Sequence, residues 1–390
     1  MKKPRVLLIA KAFPPVPGGV ESYSESVALA YATLGYDVTV LTQTRGPSGW
    51  EERTYQQGSL RVFNVGPGGQ AKVFPKFIYA LRNILSRNDF IFIHTTTWRV
   101  GLVAFLCRPT VPLALTVHGR EIQINPWYLR PFLSKVMTRA DAIISVSEAT
   151  RSVLEDVHAD ARGASKAVVL FNGISFPDLA SSLRDERANR DGEVHLLSFA
   201  RLVERKNIHG CIAALAMLKA RGVSNFSYTV CGTGPLIDLL KAQVVQSGLA
   251  DKVRFLGYVK DEDIPRQYIE ADIFLHPQIS LDAGRDFEGF GIVIADAMSF
   301  GTPVVVGNSG GPKDFVKHGV TGLVVDGENI EELALAIESL ILDKETRARL
   351  SREAREYSLS NLSWTKHAQG IVNALRASPR AAISAHKFQC

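Results

Sequence analysis

Short apolar runs alternate with longer amphipathic segments along the whole chain. The runs are rich in Val, Ile and Leu and cover residues 6–10, 38–42, 90–94, 113–118, 142–147 and 167–171, and then 195–201, 228–232, 253–256, 273–276, 304–306 and 322–325. Strands that are buried on both faces and separated by helices pair in a parallel sheet. The pattern therefore predicts an α/β protein.

The alternation is interrupted once, over residues 176–193, where the sequence becomes polar and irregular. A chain of 390 residues is long for a single core. We therefore expect two doubly wound domains, over residues 1–180 and 188–363, joined by this linker. Helical patterns at 330–342, 345–357 and 364–377 have no strands between them, so these helices should pack outside the sheets.

Composition narrows the class of protein. The chain is 46% hydrophobic and 22% charged, as in soluble globular proteins. The run at 6–10 ends at Lys11 and is too short for a signal peptide, and no run is long enough to span a bilayer. We expect a cytoplasmic protein.

Net charge and cysteine content say less about the class of protein. The formal net charge of +6 suits a polyanion, an anionic membrane surface or a phosphorylated ligand without choosing among them. The four cysteines form no pair at metal-binding spacing. We therefore expect neither a disulfide framework nor a metal site.

Ligands of parallel sheets bind beyond the carboxyl ends of the strands. In the first domain, Gly18 and Gly19 follow the first strand and precede a helix, where backbone N–H groups can meet a phosphate. A plain tight turn is the alternative, and the spacing is not that of a dinucleotide site. His118 ends the fourth strand and is either a functional residue or an ordinary polar group.

In the second domain, Arg201 and Lys206 lie between the end of the first strand and the start of the next helix. Two fixed cations at this position would bind a diphosphate. A solvated basic turn is the alternative. The direction of the neighbouring Arg205 does not follow from the sequence. Gly232 and Gly234 form only a partial glycine-rich nucleotide motif.

Two acids mark the most informative segment. We expect Glu288 just before a helix whose first N–H groups belong to residues 289–291. Asp296, eight residues on, would lie near the same face about two turns deeper. One carboxylate would then serve the sugar of a ligand and the other its ribose, unless both only cap or solvate the helix.

Taken in order, these motifs resemble the retaining GT-B glycosyltransferases of family GT4 over nearly the whole chain. The resemblance implies two Rossmann-like domains facing across a donor-binding cleft, with a terminal helix at about 364–380 packed back on the first. It implies that Glu288 binds sugar hydroxyls, that Arg201 and Lys206 hold the diphosphate, and that His118 contacts the donor sugar. The other implied donor-binding residues are Gly18, Gly19, Gly232, Gly234, Val259, Phe290, Gly291 and Asp296, the last in place of the family's second Glu.

The implied activity is transfer of a hexose from a nucleotide-diphosphate sugar to a glycan or lipid-linked glycan, with retention and with neither metal nor cofactor. The implied setting is bacterial cell-surface polysaccharide or lipopolysaccharide synthesis, with no nucleic-acid partner. The loop at 278–287 resembles that of bacterial mannosyltransferases in the family, and this resemblance slightly favours GDP-mannose over a UDP-sugar. A sugar-nucleotide epimerase and a non-catalytic sugar-nucleotide-binding subunit remain the alternatives.

Residues 72–87 and 125–139 mix aromatic, aliphatic and basic side chains. This composition is typical of helices that lie on anionic lipid, although ordinary amphipathic packing against the sheet is the favoured interpretation of each segment. We therefore expect, as one option, peripheral contact with the inner face of the cytoplasmic membrane.

Overall fold

The computed structural model describes residues 3–16, 18–123, 127–157, 166–182, 192–378 and 380. The chain divides into two compact units. One combines Met1–Gly173 with Trp364–Cys390, and the other is Ile174–Ser363. The division falls a few residues before the end predicted for the first domain, and residues 183–191 of the predicted linker lie outside the described residues.

The strands are β1 Arg5–Ile9, β2 Asp37–Thr42, β3 Gly49–Tyr55, β4 Gly58–Asn64, β5 Phe92–Thr95, β6 Leu113–Val117, β7 Ala142–Ser145, β8 Ala167–Val169, β9 Val194–Phe199, β10 Phe226–Cys231, β11 Val253–Gly257, β12 Ile273–His276, β13 Val304–Gly307 and β14 Gly322–Val325. The helices are α1 Gly19–Thr33, α2 Gln70–Arg87, α3 Trp98–Cys107, α4 Arg120–Gln123, α5 Arg130–Arg139, α6 Glu148–Val157, α7 Pro177–Ser182, α8 Ile208–Ala220, α9 Ile237–Gln246, α10 Ile264–Glu270, α11 Ile292–Ser299, α12 Pro312–Phe315, α13 Ile330–Leu342, α14 Lys344–Asn361 and α15 Trp364–Arg376.

The first unit is built on a sheet whose strand order is β3-β4-β2-β1-β5-β6-β7-β8. β1 pairs in parallel with β2 on one side and β5 on the other, so the chain changes direction along the sheet at this point. Ligand sites of doubly wound sheets form at such a switch point. The loops after β1, β5 and β6 meet this edge, and two of them carry Gly18 and His118.

The β3–β4 hairpin was not predicted from the sequence. β3 pairs antiparallel with β4 at the sheet edge, and Tyr55 lies opposite Gly58 across a two-residue turn. The sheet is therefore mixed rather than wholly parallel. Alternation in β4, where Leu60 and Val62 are buried and Arg61 is exposed, is the signal that indicates this strand.

The second unit has the strand order β11-β10-β9-β12-β13-β14, and its described strands are all parallel. Its switch point lies between β9 and β12. The core is formed by apolar residues of the sheet together with one face of α8 and α13, and Leu215 and Ile337 are fully buried there. The basic turn after β9 and the segment after β12 consequently meet at one edge.

The last three helices lie outside the sheets, as the sequence indicates. α13 packs against α8, α14 against α11, and α15 against α1. Among the described residues, no helix combines the length and the hydropathy needed to cross a membrane.

Candidate active site

The turn after β9 is fixed by an asparagine. Glu204–Lys206 form a single 3-10 turn, and Asn207 then adopts a left-handed conformation with φ 55° before α8 begins. Asn tolerates this conformation better than most residues. Its Nδ2 donates hydrogen bonds to the carbonyls of Pro277, at 2.9 Å, and Gly327, at 2.6 Å. These hydrogen bonds hold the turn, which carries Arg205 and Lys206, against the loop that follows β12.

Two of these cations converge on one carboxylate oxygen. Lys206 Nζ and Arg205 Nη1 both donate to Oε2 of Glu288, Arg205 at a distance of 2.6 Å. Arg205 Nε also lies 3.4 Å from Oδ1 of Asp286. The side chains of Arg205, Lys206 and Glu288 are only 17%, 10% and 12% exposed. Two positive and two negative groups thus balance each other in a nearly dry cluster.

His276 belongs to the same cluster. It is the last residue of β12, is fully enclosed, and places Nε2 3.3 Å from Lys206 Nζ. Burial and, to a smaller extent, the nearby Lys206 charge lower the pKa of His276 to about 4. The imidazole is therefore neutral at pH 7, and its Nε2 accepts a hydrogen bond from the Lys206 ammonium.

The cluster keeps Glu288 ionised. Burial alone would raise the pKa of this carboxyl, but the charges of Lys206 and Arg205 outweigh burial and hold the pKa well below its usual range. Glu288 is therefore a hydrogen-bond acceptor at any physiological pH.

Arg201 stands apart from this cluster. Its side chain is exposed at the end of β9, and the structure records no hydrogen bond or ion pair between it and another described residue. Its guanidinium donors remain available to a ligand.

The glycine pair after β13 holds the backbone of Glu288. Gly311 N–H donates to the Glu288 carbonyl at 2.8 Å. Gly310 has φ 76°, and a Cβ on it would collide with the Glu288 backbone. The pair therefore permits a close approach that places the carboxylate over the basic turn.

The helix after Glu288 begins later than expected. α11 starts at Ile292, not at the predicted N–H groups of residues 289–291, because Gly291 adopts a left-handed conformation with φ 85° at the N-cap. Phe290 is buried with its ring stacked on Phe315, the ring centroids being 4.6 Å apart. Glu288 therefore lies in the irregular segment before the helix, and the predicted two-turn spacing to Asp296 along one helix is wrong.

Asp296 has partners of its own. It is buried in α11, where Oδ1 accepts from Ser175 N–H at 2.6 Å and Oδ2 accepts from Ser175 Oγ at 2.9 Å. Burial raises the pKa of Asp296 to about 7 against the lowering effect of these bonds. The structure does not bring Asp296 into contact with Glu288 or Lys206, and its ribose contact stays a prediction.

Gly232 and Gly234 lie where the loops after β9 and β10 touch. A Cβ on Gly232 would strike the carbonyl of Ala200, and one on Gly234 would strike the backbone of Leu202. Both glycines are thus required by backbone packing. Their donor contact, and that of the half-buried Val259 after β11, remain predictions.

In the first unit, His118 directly follows β6 and is held at two points. Its backbone N–H donates to Glu121 Oε1 at 2.6 Å, and its Nε2 lies 3.0 Å from the carbonyl oxygen of Thr96. A carbonyl only accepts, so Nε2 carries a proton. The edge of the Tyr23 ring packs on the imidazole, with centroids 4.8 Å apart.

Gly18 and Gly19 open α1, as predicted. Glu21 occupies the space where Gly18 would carry a Cβ, whereas nothing lies within 4 Å of the corresponding position on Gly19. The open backbone at Gly19 fits the predicted approach of a phosphate, which stays a prediction.

Sequence reasoning missed three members of the second-unit cluster: Arg205, whose direction was open, together with His276 and Asp286. His276 could have been found by the rule used for His118, since it too ends a buried strand. Within the described parts of the chain, no group of three or more His, Cys, Asp or Glu side chains is placed to hold a metal ion.

Comparison with known proteins supports the resemblance to family GT4. The model "Glycosyltransferase Family 4" matches residues 17–176 and the model "Glycosyl transferases group 1" matches residues 181–357. A GDP-mannose-dependent alpha-(1-6)-phosphatidylinositol monomannoside mannosyltransferase from Mycobacterium tuberculosis is 29% identical over 97% of this chain and 99% of its own length.

Solved structures share the fold. Sucrose-phosphate synthase from Thermosynechococcus elongatus superposes with a TM-score of 0.77 at 21% identity, over 98% of this chain and 100% of its own. The Anabaena protein HepE, in complex with UDP and glucose, gives a TM-score of 0.73 at 22% identity, over 96% of this chain and 99% of its own. With two Rossmann-like units and both family models matched in sequence order, the chain belongs to the GT4-type glycosyltransferases of GT-B fold.

Proposed function

We propose that this nucleotide-sugar glycosyltransferase transfers a hexose to a glycan or lipid-linked glycan with retention of anomeric configuration, in bacterial cell-surface polysaccharide or lipopolysaccharide synthesis. GDP-mannose is the favoured donor, supported by the similarity to a GDP-mannose-dependent enzyme. A UDP-sugar is the alternative. The observation that carries the proposal is the buried Arg205–Lys206–Glu288 cluster beside the exposed Arg201, at the switch point of the second sheet.

The cluster has the charges that transfer requires. A diphosphate attracts the free guanidinium of Arg201 and the ammonium of Lys206, and charge-assisted hydrogen bonds of this kind are strong. As the phosphate departs, Lys206 stabilises the negative charge that develops on it. Arg205 continues to neutralise Glu288, whose carboxylate accepts hydrogen bonds from the sugar hydroxyls.

The bond changes balance without a further reactant. The bond from the anomeric carbon to the phosphate oxygen breaks, and a bond to the acceptor oxygen forms on the same face of the sugar. The acceptor proton moves to the departing phosphate oxygen. In this scheme His118 contacts the sugar, and Nδ1 is the ring nitrogen left to do so, since Nε2 donates to Thr96.

The test is acceptor-dependent release of GDP from GDP-mannose, followed by determination of the anomeric configuration of the product by NMR. We expect GDP release only with acceptor and an α-linked product from the α-linked donor. A β-linked product would overturn retention. Isomerised nucleotide sugar formed without acceptor would identify an epimerase, and nucleotide binding without turnover a non-catalytic subunit.

We further propose that the first unit contacts anionic lipid through α2. The helix contains no acidic residue. Its Val73, Phe77, Ala80, Leu81 and Ile84 are buried in the core, so sheet packing accounts for its apolar face. Its outer face still exposes four basic side chains and one aromatic ring, those of Lys72, Lys76, Arg82, Arg87 and Tyr79. Such a surface adds about 1 kcal/mol of attraction per basic residue near an anionic membrane.

The second segment with this composition is only partly described, since residues 124–126 lie outside the described residues. Tyr128 and Phe132 are exposed at 56% and 44%, whereas Leu133 and Val136 are buried in the core. α5 adds Lys135 to the exposed basic residues of this unit.

A further inference from the structure

A chain of buried hydrogen bonds crosses the first unit beside His118. Tyr31 Oη lies 3.1 Å from His94 Nδ1, and His94 Nε2 lies 2.8 Å from Thr116 Oγ1. Thr116 Oγ1 is 2.8 Å from Tyr23 Oη, which is 2.9 Å from His367 Nε2. All five side chains are at most 2% exposed. The chain joins α1, β5, β6 and the terminal helix α15.

The His367 end of this hydrogen-bond chain fixes the position of every proton. His367 Nδ1 lies 3.0 Å from the carbonyl oxygen of Phe171, which only accepts, so Nδ1 carries the proton. Burial lowers the pKa of His367 to about 4, so the ring is neutral at pH 7 and its Nε2 must accept. Tyr23 therefore donates to His367.

The remaining directions follow in sequence. Because Tyr23 uses its single proton on His367, Thr116 must donate to Tyr23. Thr116 then accepts from His94, whose proton must lie on Nε2, and His94 Nδ1 accepts from Tyr31. Burial lowers the pKa of His94 to about 3, so this ring is neutral as well. The hydroxyls of Thr116 and Tyr23 each donate once and accept once, and that of Tyr31 donates to His94.

Tyr23 connects this chain to the candidate active site. Its ring packs edge-on against His118 at 4.8 Å and against Trp364, the first residue of α15, at 5.5 Å. The Thr96 carbonyl fixes one edge of the His118 imidazole. The Tyr23 ring is the aromatic surface that fixes its tilt.

We propose that Tyr23 is a positioning residue for His118, held in place by a hydrogen-bond chain with a single direction that α15 completes through His367. The proposal rests on the proposed contact of His118 with the donor sugar. It gives α15 a role in setting the geometry of a residue that lies far from it in sequence. A misplacement of about 1 Å in such a residue can cost on the order of 100-fold in rate.

The proton directions are tested on the wild-type protein, with no activity required. Nitrogen-15 NMR of the histidine side chains at pH 7 distinguishes the two neutral tautomers. We expect the proton of His94 on Nε2 and that of His367 on Nδ1. The opposite tautomer at either residue would overturn the directed chain, whether or not the protein transfers a sugar.

The positioning role is tested by removing one hydroxyl at a time. Tyr23→Phe breaks the hydrogen-bond chain next to His118. Tyr31→Phe removes an equally buried hydroxyl of the same helix, at the end of the hydrogen-bond chain opposite His367. We expect Tyr23→Phe to lower kcat about tenfold or more with little change in the KM for donor, since misplacement affects the reacting geometry. We expect Tyr31→Phe to lower kcat by less than about threefold, although both lower the Tm.

Equal kcat values for the two variants would overturn the positioning role. His367→Gln keeps an acceptor within reach of Tyr23, whereas His367→Leu does not, so kcat should be higher in the Gln variant. The reverse order would also overturn the proposal. A wild-type enzyme inactive with every nucleotide sugar would instead count against the proposed function, while the tautomers would still decide the chain.

Discussion

Of the three cations in the proposed site, Lys206 has the side chain that is least exposed to solvent. Its ammonium is almost completely enclosed and shares Glu288 with Arg205, and His276 accepts a second hydrogen bond from it. Removing one partner from a buried ion pair leaves a charge uncompensated, which costs about 3–5 kcal/mol. Substitutions in this cluster therefore affect stability as well as transfer.

For this reason we predict that Lys206→Met, which removes a charge-stabilising donor, and Glu288→Gln, which removes the carboxylate that this donor pairs with, each reduce kcat/KM by at least about 100-fold and lower the Tm. The measurements are initial rates and thermal melts. Lys219→Met is the matched control, because Lys219 pairs with Asp251 at the surface of the same unit at 3.1 Å. Normal transfer in either cluster variant would refute the site assignment.

The buried Asp296 leads to a prediction of how the stability of the folded protein depends on pH. Its pKa is raised from 3.8 to about 7 in the folded protein, so between these values the folded state binds more protons than the unfolded state. Its contribution to stability is therefore full below about pH 4 and is lost as the pH rises to about 7, by up to a few kcal/mol.

Denaturant melts of wild type and Asp296→Asn between pH 4 and 8 measure this effect. We expect the wild type to lose stability relative to the variant as the pH rises, with the difference levelling off above pH 7. A difference that stays constant with pH would show that Asp296 is not the titrating group.

At the scale of elements, the strands that carry the site were predictable, and two features were not. The strands that end at or shortly before Arg201, His118 and His276 are largely buried apolar runs, which the sequence displays directly. The β3–β4 hairpin was missed because β3 is rich in charged residues and has no buried side chain, although β4 alternates. The start of α11 was misplaced because helical periodicity does not reveal the left-handed Gly291.

The basic face of α2 is also tested at this scale. We predict that the protein sediments with phosphatidylglycerol vesicles at low salt, and not with phosphatidylcholine vesicles. The double variant Lys72→Glu, Lys76→Glu should reduce this binding by roughly 2 kcal/mol or more, from about 1 kcal/mol per basic residue. Lys241→Glu, an exposed charge change in the second unit, is the control. Equal sedimentation of both variants would refute contact through α2.

For the whole molecule, the two-unit α/β organisation follows from the apolar pattern, and the family follows from the order of the motifs. The ion-pair partners do not follow, because they depend on which side chains meet across the switch point. Arg205 illustrates this, since only the fold shows that it pairs with Glu288. Likewise, only the fold shows that Ser175 donates hydrogen bonds to Asp296.

We also predict that the complete enzyme needs no metal. The proposed charge stabilisation uses Arg201 and Lys206, so transfer should proceed at an unchanged rate after treatment with EDTA. The check is the initial rate before and after chelation. A loss of activity that Mg²⁺ or Mn²⁺ restores would contradict this part of the mechanism.

The most direct test of the account is thermal stability with GDP, UDP, ADP and dTDP in turn, on wild type and Lys206→Met. A ligand at about 100 times its Kd stabilises the folded state by roughly 2.7 kcal/mol. The account predicts that GDP raises the Tm of the wild type most, and that the variant loses most of this shift. No shift with any nucleotide, or an undiminished shift in the variant, would contradict a donor site built on the basic turn after β9.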